Sequence, residues 1–243
     1  MAARGLAWIT GGSSGIGLAT AHELSAAGYV VALTGRREDA MQAACSQIEA
    51  RGGSAIYATA DVADAGQVDR AHRDIAARAG PVSVLVNSAG FNIARRDWAE
   101  VTTEDFGATV SANLNGTFHA ITAVLPAMRA ARDGVIVNIA SWAGRYVAAG
   151  AGPAYTAAKH AVFALTSSLN MAEVVNGIRA CALCPGEVDT PIMDARTHPP
   201  TPQQRAAMLG ADDVARLIRI VVELPPSVLL GELVLTPTGI ARG

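Results

Sequence analysis

Apolar residues in this chain gather in short, nearly unbroken runs separated by longer helix-like stretches. The runs are Leu6–Ile9, Tyr29–Thr34, Ser54–Thr59, Val82–Asn87, Gly134–Ile139, Ile178–Cys184 and Glu232–Leu235. Their continuity, in place of strict alternation, predicts strands covered on both faces. Between them the segments Gly17–Ala27, Glu38–Arg51, Asp64–Ala79, Tyr155–Asn176 and Asp212–Leu224 read as helices. Such a βαβ rhythm predicts an α/β fold: a doubly wound, seven-stranded, mostly parallel sheet with right-handed crossovers and helices on both faces. No linker or repeat divides the chain, so residues 1–243 are expected to form one domain with a small substrate loop near 191–210. The one shift in composition, Arg196–Pro202 with three prolines, reads as a mobile connection inside that domain.

Composition narrows the picture. A chain of 243 residues with 51% hydrophobic content can bury a substantial core. Its net charge of −2 gives no electrostatic case for nucleic acid or an anionic membrane. No apolar run is long enough to cross a bilayer, and no secretory signal is expected, since the strand-like Leu6–Ile9 lies almost at the N-terminus and runs straight into a glycine turn. Cys181-x-x-Cys184 has a redox or half-zinc spacing. No second such pair or histidine pair completes a metal site, so no metal is expected and the thiols read as core. Free thiols without a disulfide framework suggest a cytoplasmic location.

Chemistry enters at two places. After the first strand comes Thr10-Gly11-Gly12-Ser13-Ser14-Gly15-Ile16-Gly17. Glycines 11, 15 and 17 permit a tight turn, and a helix starting near Gly15 would aim free N–H groups at a pyrophosphate, with hydroxyls from Ser13 and Ser14. A plain helix-capping turn is the alternative. A nucleoside-triphosphate loop is disfavoured because no Gly-Lys-Ser/Thr follows. The second strand ends Thr34-Gly35-Arg36-Arg37. The acid that would bind a ribose 2′-hydroxyl is missing, and two guanidiniums suit a 2′-phosphate, which favours NADP(H) over NAD(H). A solvated basic pair is the other reading. Further on, Tyr155 and Lys159 stand four apart and share a helix face. Tyrosine ordinarily titrates near a pKa of about 10, and a neighbouring ammonium favours the phenolate. Bringing it into the neutral range requires roughly 3–4 kcal/mol.

In order along the chain, the glycine motif Thr10–Gly17, Asp61-Val62, Asn87-Ser88-Ala89-Gly90, Asn113, Ser141, Tyr155/Lys159 and Pro185-Gly186 with Thr190 resemble the short-chain dehydrogenase/reductase family. The resemblance spans nearly the whole chain and implies a Rossmann-like fold. It also implies the roles. Tyr155 would exchange the substrate proton, and Lys159 would lower its pKa and bind the nicotinamide ribose. Ser141 would hydrogen-bond the carbonyl oxygen, and Asn113 would hold a relay water. Gly11, Ser13, Ser14, Gly15, Ile16 and Gly17 would cradle the cofactor. Asp61 and Val62 would contact adenine, Asn87, Ala89 and Gly90 would line its cleft, and Pro185, Gly186, Val188 and Thr190 would hold the carboxamide end.

The chain departs from the family pattern at Ser88 and in its ending, Leu230–Thr238, which lacks the common Asp-Gly-Gly. That ending, with Thr34–Arg37 and Leu224-Pro225-Pro226, looks like the branch holding NADP-dependent 3-hydroxy acid (serine-type) dehydrogenases. The implied partner is a small carbonyl or alcohol, and the implied assembly a homodimer or homotetramer. Phe91, Asn92, Trp142, Arg145, Tyr146 and Met193 are expected around the substrate, with Met208 above. An inward Arg145 would clamp a substrate carboxylate; an outward one would leave a pocket for a neutral ketone. A catalytically silent NADP(H)-binding sensor or scaffold is the competing function.

Overall fold

Each apolar run forms a strand: β1 (Leu6–Thr10), β2 (Val30–Gly35), β3 (Ser54–Thr59), β4 (Val82–Asn87), β5 (Gly134–Ile139), β6 (Ile178–Pro185) and β7 (Glu232–Leu235). All pair in parallel, in the order β3-β2-β1-β4-β5-β6-β7. The computed structural model describes residues 4–238; residues 1–3 and 239–243 of the expected domain lie outside the described residues. The strand order reverses between β1 and β4. In an open parallel sheet that reversal leaves a crevice beyond the carboxyl ends of the two strands, the usual place for a ligand.

The two-residue period of a strand sorts the core into layers. Ala7, Ile9, Val31, Leu33, Val86 and Val137 face one side. There they meet α1 (Gly15–Ala26), α2 (Glu38–Glu49) and α8 (Ala211–Glu223). Leu6, Trp8, Ala32, Leu85 and Ile136 face the other side, under α3 (Ala65–Ala79), α5 (Gly116–Ala131) and α6 (Pro153–Glu173). Trp8 is wholly buried, and its indole N–H donates to Thr34 Oγ1 at 2.8 Å, so its one polar atom is satisfied. Cys181 and Cys184 are three apart on β6 and therefore project to opposite faces, Cys181 toward the α8 layer and Cys184 toward α6. Burial pushes their thiols up to about 12 and about 11. The pair can neither chelate nor bridge, and among the described residues no cluster of histidine, cysteine and carboxylate side chains could hold a metal.

Two segments add to the sequence reading. The region before β5 is one long helical path in which α4 (Thr103–Val110) passes through a π turn, Ser111–Asn115, into α5. The expected mobile connection carries a 3-10 turn, Pro191–Ala195, and a short helix, α7 (Pro202–Ala206). Thr201 Oγ1 accepts from the Gln204 N–H, the Gln204 side chain accepts from the Thr201 N–H, and Pro202 fills the first helical position. Parallel bonding of Val188 with Leu209 closes the base of this loop. Among the described residues, no helix is long and apolar enough to cross a membrane.

Candidate active site

The crevice is built first by the loop after β1. Gly11 has φ +67°, and a Cβ there would lie 2.8 Å from the backbone N and Cα of Ala89. Only glycine allows the β1 and β4 loops to lie this close. One bond fixes the approach, Ala89 N–H donating to Thr10 Oγ1 at 3.2 Å, while Gly11 N–H ties the turn to β2 by donating to Thr34 O at 2.7 Å. Ser14 is the N-cap of α1 but makes no side-chain cap bond, and the first turn holds no acidic residue. The N–H groups of Gly15, Ile16 and Gly17 therefore face the crevice without a side-chain partner, at the positive end of a helix dipole. The Thr190 methyl, from the loop after β6, would sit 3.1 Å from a Cβ on Gly15, so that loop overhangs the cradle.

At the end of β2, Arg36 and Arg37 are exposed and make no ion pair or side-chain hydrogen bond among the described residues. Asp61 shapes the turn after β3: its Oδ1 accepts from Ala63 N–H, and its own N–H donates to Gln67 Oε1, both at 3.0 Å. Val62 is buried against Gly116, and its carbonyl pairs with His119 Nδ1 at 3.0 Å. Pro185 ends β6, and Gly186 N–H donates to Leu235 O at 2.8 Å. This donor set, an uncapped helix start beside free guanidiniums, suits the phosphates of a nicotinamide dinucleotide.

The reacting groups lie at the ends of β4 and β5. Ser141 follows β5 in extended backbone and caps the turn Trp142–Gly144, its Oγ accepting from Ala143 N–H at 3.1 Å. Tyr155 is in the first turn of α6 and Lys159 one turn on. Lys159 is buried; its Nζ donates to Ile139 O at 2.7 Å and lies 5.5 Å from the Tyr155 ring centre. Burial brings its pKa down to about 8. Burial pushes the Tyr155 phenol above its ordinary value, while a hydrogen bond with Ser141 and the guanidiniums of Arg96 and Arg196 pull it down. The sequence reading gave that lowering to Lys159. In the protein alone burial outweighs every lowering influence and the phenol stays raised; the groups that oppose it are Ser141 and the two arginines, not Lys159.

Asn113 occupies the π turn. Its Nδ2 donates to Phe91 O at 2.8 Å and to Thr109 O at 2.9 Å, and its Oδ1 is buried with no partner. A Cβ on Gly90 would lie 2.5 Å from that oxygen and 3.6 Å from Lys159 Nζ. Gly90, Asn113 and Lys159 thus surround one small polar space that any side chain at 90 would fill. The wider turn rotates Asn113 inward, a common use of a π bulge. Behind the crevice, Asn87 Nδ2 donates to Asn138 Oδ1, and Asn138 Nδ2 to Thr166 Oγ1, each at 2.9 Å.

Of the expected substrate residues, Met193 is buried, and the Trp142 and Tyr146 rings lie 4.8 Å apart. Phe91 is half-buried and gives its carbonyl to Asn113. Asn92 fastens two loops, its Nδ2 donating to Ala151 O and its Oδ1 accepting from Ile93 N–H, both at 2.9 Å. Met208 borders a cleft of about 500 Å³ with Glu187, Arg196 and His198. The inward Arg145 clamp is not found. That side chain pairs with Glu232 on β7 and lies 4.6 Å over the Phe163 ring, so its charge is engaged by the protein. The cations bearing on Tyr155 are Arg96 and Arg196, which sequence reasoning missed. Arg96 follows Asn92 in an irregular loop, and no motif spacing marks it.

A family model described as short chain dehydrogenase matches residues 6–200. The chain is 38% identical over 198 residues to 2-(R)-hydroxypropyl-CoM dehydrogenase of Xanthobacter autotrophicus, covering 80% of this chain and 79% of that protein. It is 31% identical over 237 residues to glycine betaine reductase ATRR of Emericella nidulans, covering 96% of this chain but spanning only 18% of that protein's length. Among solved structures, an actinorhodin polyketide ketoreductase variant with NADPH superposes with a TM-score of 0.88 at 29% identity over 96% of each chain.

Proposed function

The chain belongs to the short-chain dehydrogenase family and is an oxidoreductase of CH–OH groups; from that premise we propose that it works with NADP(H) on a small ketone or secondary alcohol. The observation carrying this reading is the convergence of Ser141, Tyr155, Lys159 and the unpartnered Asn113 oxygen beside an uncapped helix start. The cradle at Gly11–Gly17, Thr190 and Lys159 would hold the dinucleotide, which when bound supplies or takes up a hydride. In the reducing direction Ser141 Oγ–H hydrogen-bonds the carbonyl oxygen while Tyr155 delivers its proton there. Lys159, poised near 8, can return a proton to the phenolate through the space beside Asn113 Oδ1. Arg36 and Arg37, free at the end of β2, support the 2′-phosphate. Exposed Phe106, Phe118 and Met171 support self-association, and three free buried thiols support the cytoplasm. A 3-hydroxy acid remains within this reading, though without Arg145 as its clamp.

The test is reduction of a ketone panel with NADPH and NADH, using wild type and Tyr155→Phe. The variant should bind NADPH normally yet lose about 10²–10⁴-fold in kcat, the usual worth of general acid catalysis. Wild-type turnover by the variant overturns the proton assignment, and a preference for NADH overturns the cofactor. Tight NADPH binding with no turnover on any ketone replaces the enzyme with a nucleotide sensor.

A further inference from the structure

We propose that Arg96 is an anion-binding subsite at the start of the helix bearing Tyr155, with Arg196 adding to the positive potential there, and that the substrate is a small oxo or hydroxy acid whose carboxylate Arg96 holds. The proposal rests on the oxidoreductase reading and gives it a substrate class. Three observations carry it. First, Arg96 is fixed beside the start of the helix that bears the reacting phenol. Its Nε donates to Ile93 O at 2.9 Å and its Nη1 to Gly150 O at 3.3 Å. A Cβ on Gly152, the N-cap of α6, would lie 2.4 Å from Arg96 O, so the loop is pressed against the helix start that presents Tyr155. Second, Arg96 is half-buried with neutral carbonyls as its only hydrogen-bond partners, and makes no ion pair among the described residues. Asp97 is its nearest acidic influence and does not bond to it. A cation held this way, with one nitrogen unused, favours an incoming oxyanion.

Third, a second positive charge is near. Thr197 Oγ1 donates to Ala94 O at 3.0 Å and ties the two loops together, bringing Arg196 within electrostatic reach of both Arg96 and Tyr155. The other carboxylates nearby already have cationic partners, and none of them is Arg96. Glu187 anchors Arg196 at 2.7 Å, while Arg205 takes Asp189 at 2.7 Å and also pairs with Asp194. Arg196 is therefore already compensated by Glu187, and the unpaired cation left at the mouth is Arg96, which a bound carboxylate neutralises. The fork of a guanidinium also orients a carboxylate, which would set the carbonyl relative to Ser141 and Tyr155.

The experiment compares a short 3-oxo acid with its methyl ester, under saturating NADPH, in wild type, Arg96→Gln, Arg96→Lys and Arg196→Gln. Wild type should prefer the acid. Arg96→Gln should cut kcat/KM for the acid about 10- to 100-fold, mostly in KM, and leave the ester within about twofold. Arg96→Lys should recover part of the loss, and Arg196→Gln should fall the same way by less. Equal use of acid and ester by wild type overturns the subsite. So does an equal loss on both in Arg96→Gln, which marks a loop fastener only. Should wild type reduce neither compound, calorimetric binding to the NADPH complex decides. Acid binding that Arg96→Gln abolishes keeps the subsite while the reductase reading fails, and equal binding of acid and ester, or none, overturns the subsite.

Discussion

Lys159 carries a cost that depends on pH. Its ammonium is buried with one carbonyl partner, so its pKa in the folded chain, about 8, lies below the ordinary 10.5. Between those values the unfolded chain binds the proton and the folded chain does not, so stability rises with pH there. The burial penalty is complete below pH 8 and fades toward pH 10.5. Lys159→Met removes this dependence. Urea unfolding at several pH values should show wild type gaining on the variant by up to about 3 kcal/mol across that window. A constant gap would mean that the lysine titrates at its ordinary value. The same residue marks a limit of reading from sequence. Its spacing from Tyr155 predicts the shared helix face, but its partner, the Ile139 carbonyl, is set by how α6 lies on β5.

Between elements, α5 and α6 are joined at their ends by a carboxylate clasp. Glu173 is buried and accepts from Arg129 Nε at 3.0 Å and from Asn176 Nδ2 at 2.8 Å. The Arg129 bonds, then the Asn176 bond, hold its carboxyl down to about 2. A depressed carboxylate contributes stability above its unfolded pKa, and that contribution is lost as pH falls from 4.5 toward 2. Glu173→Gln should therefore destabilise the protein by about 1–3 kcal/mol at pH 7. In thermal melts the difference should vanish near pH 2; a difference unchanged at low pH would assign it to packing. The strands were legible because apolar runs buried on both faces leave little ambiguity. The π turn at Ser111–Asn115 was not, because it depends on Asn113 reaching Phe91 O, a contact from another loop. Helix α7 did leave a signal, Thr201-Pro202 with Gln204 in a capping arrangement, but the three prolines obscured it. The pairing of Arg145 depends on Glu232, 87 residues away, and no local pattern encodes that partner.

Across the whole molecule, the three cysteines report on integrity. Cys45, Cys181 and Cys184 are free and buried, with thiols raised to about 11, about 12 and about 11. A thiol reagent at pH 8 should label none of them in the native protein and all three in denaturant; rapid native labelling would show that the sheet opens readily. The bonds from Asn87 through Asn138 to Thr166 reach further. They run from the cofactor side of the crevice, across β5, to the helix that bears Tyr155 and Lys159. Apolar surfaces slide past one another at little cost, whereas two side-chain hydrogen bonds of 2.9 Å in series resist it. The two walls of the crevice therefore travel as one body. Whatever breathing lets a substrate in and a product out falls to the rim, the overhang from Thr190 to α7, and leaves the spacing of the reaction centre undisturbed.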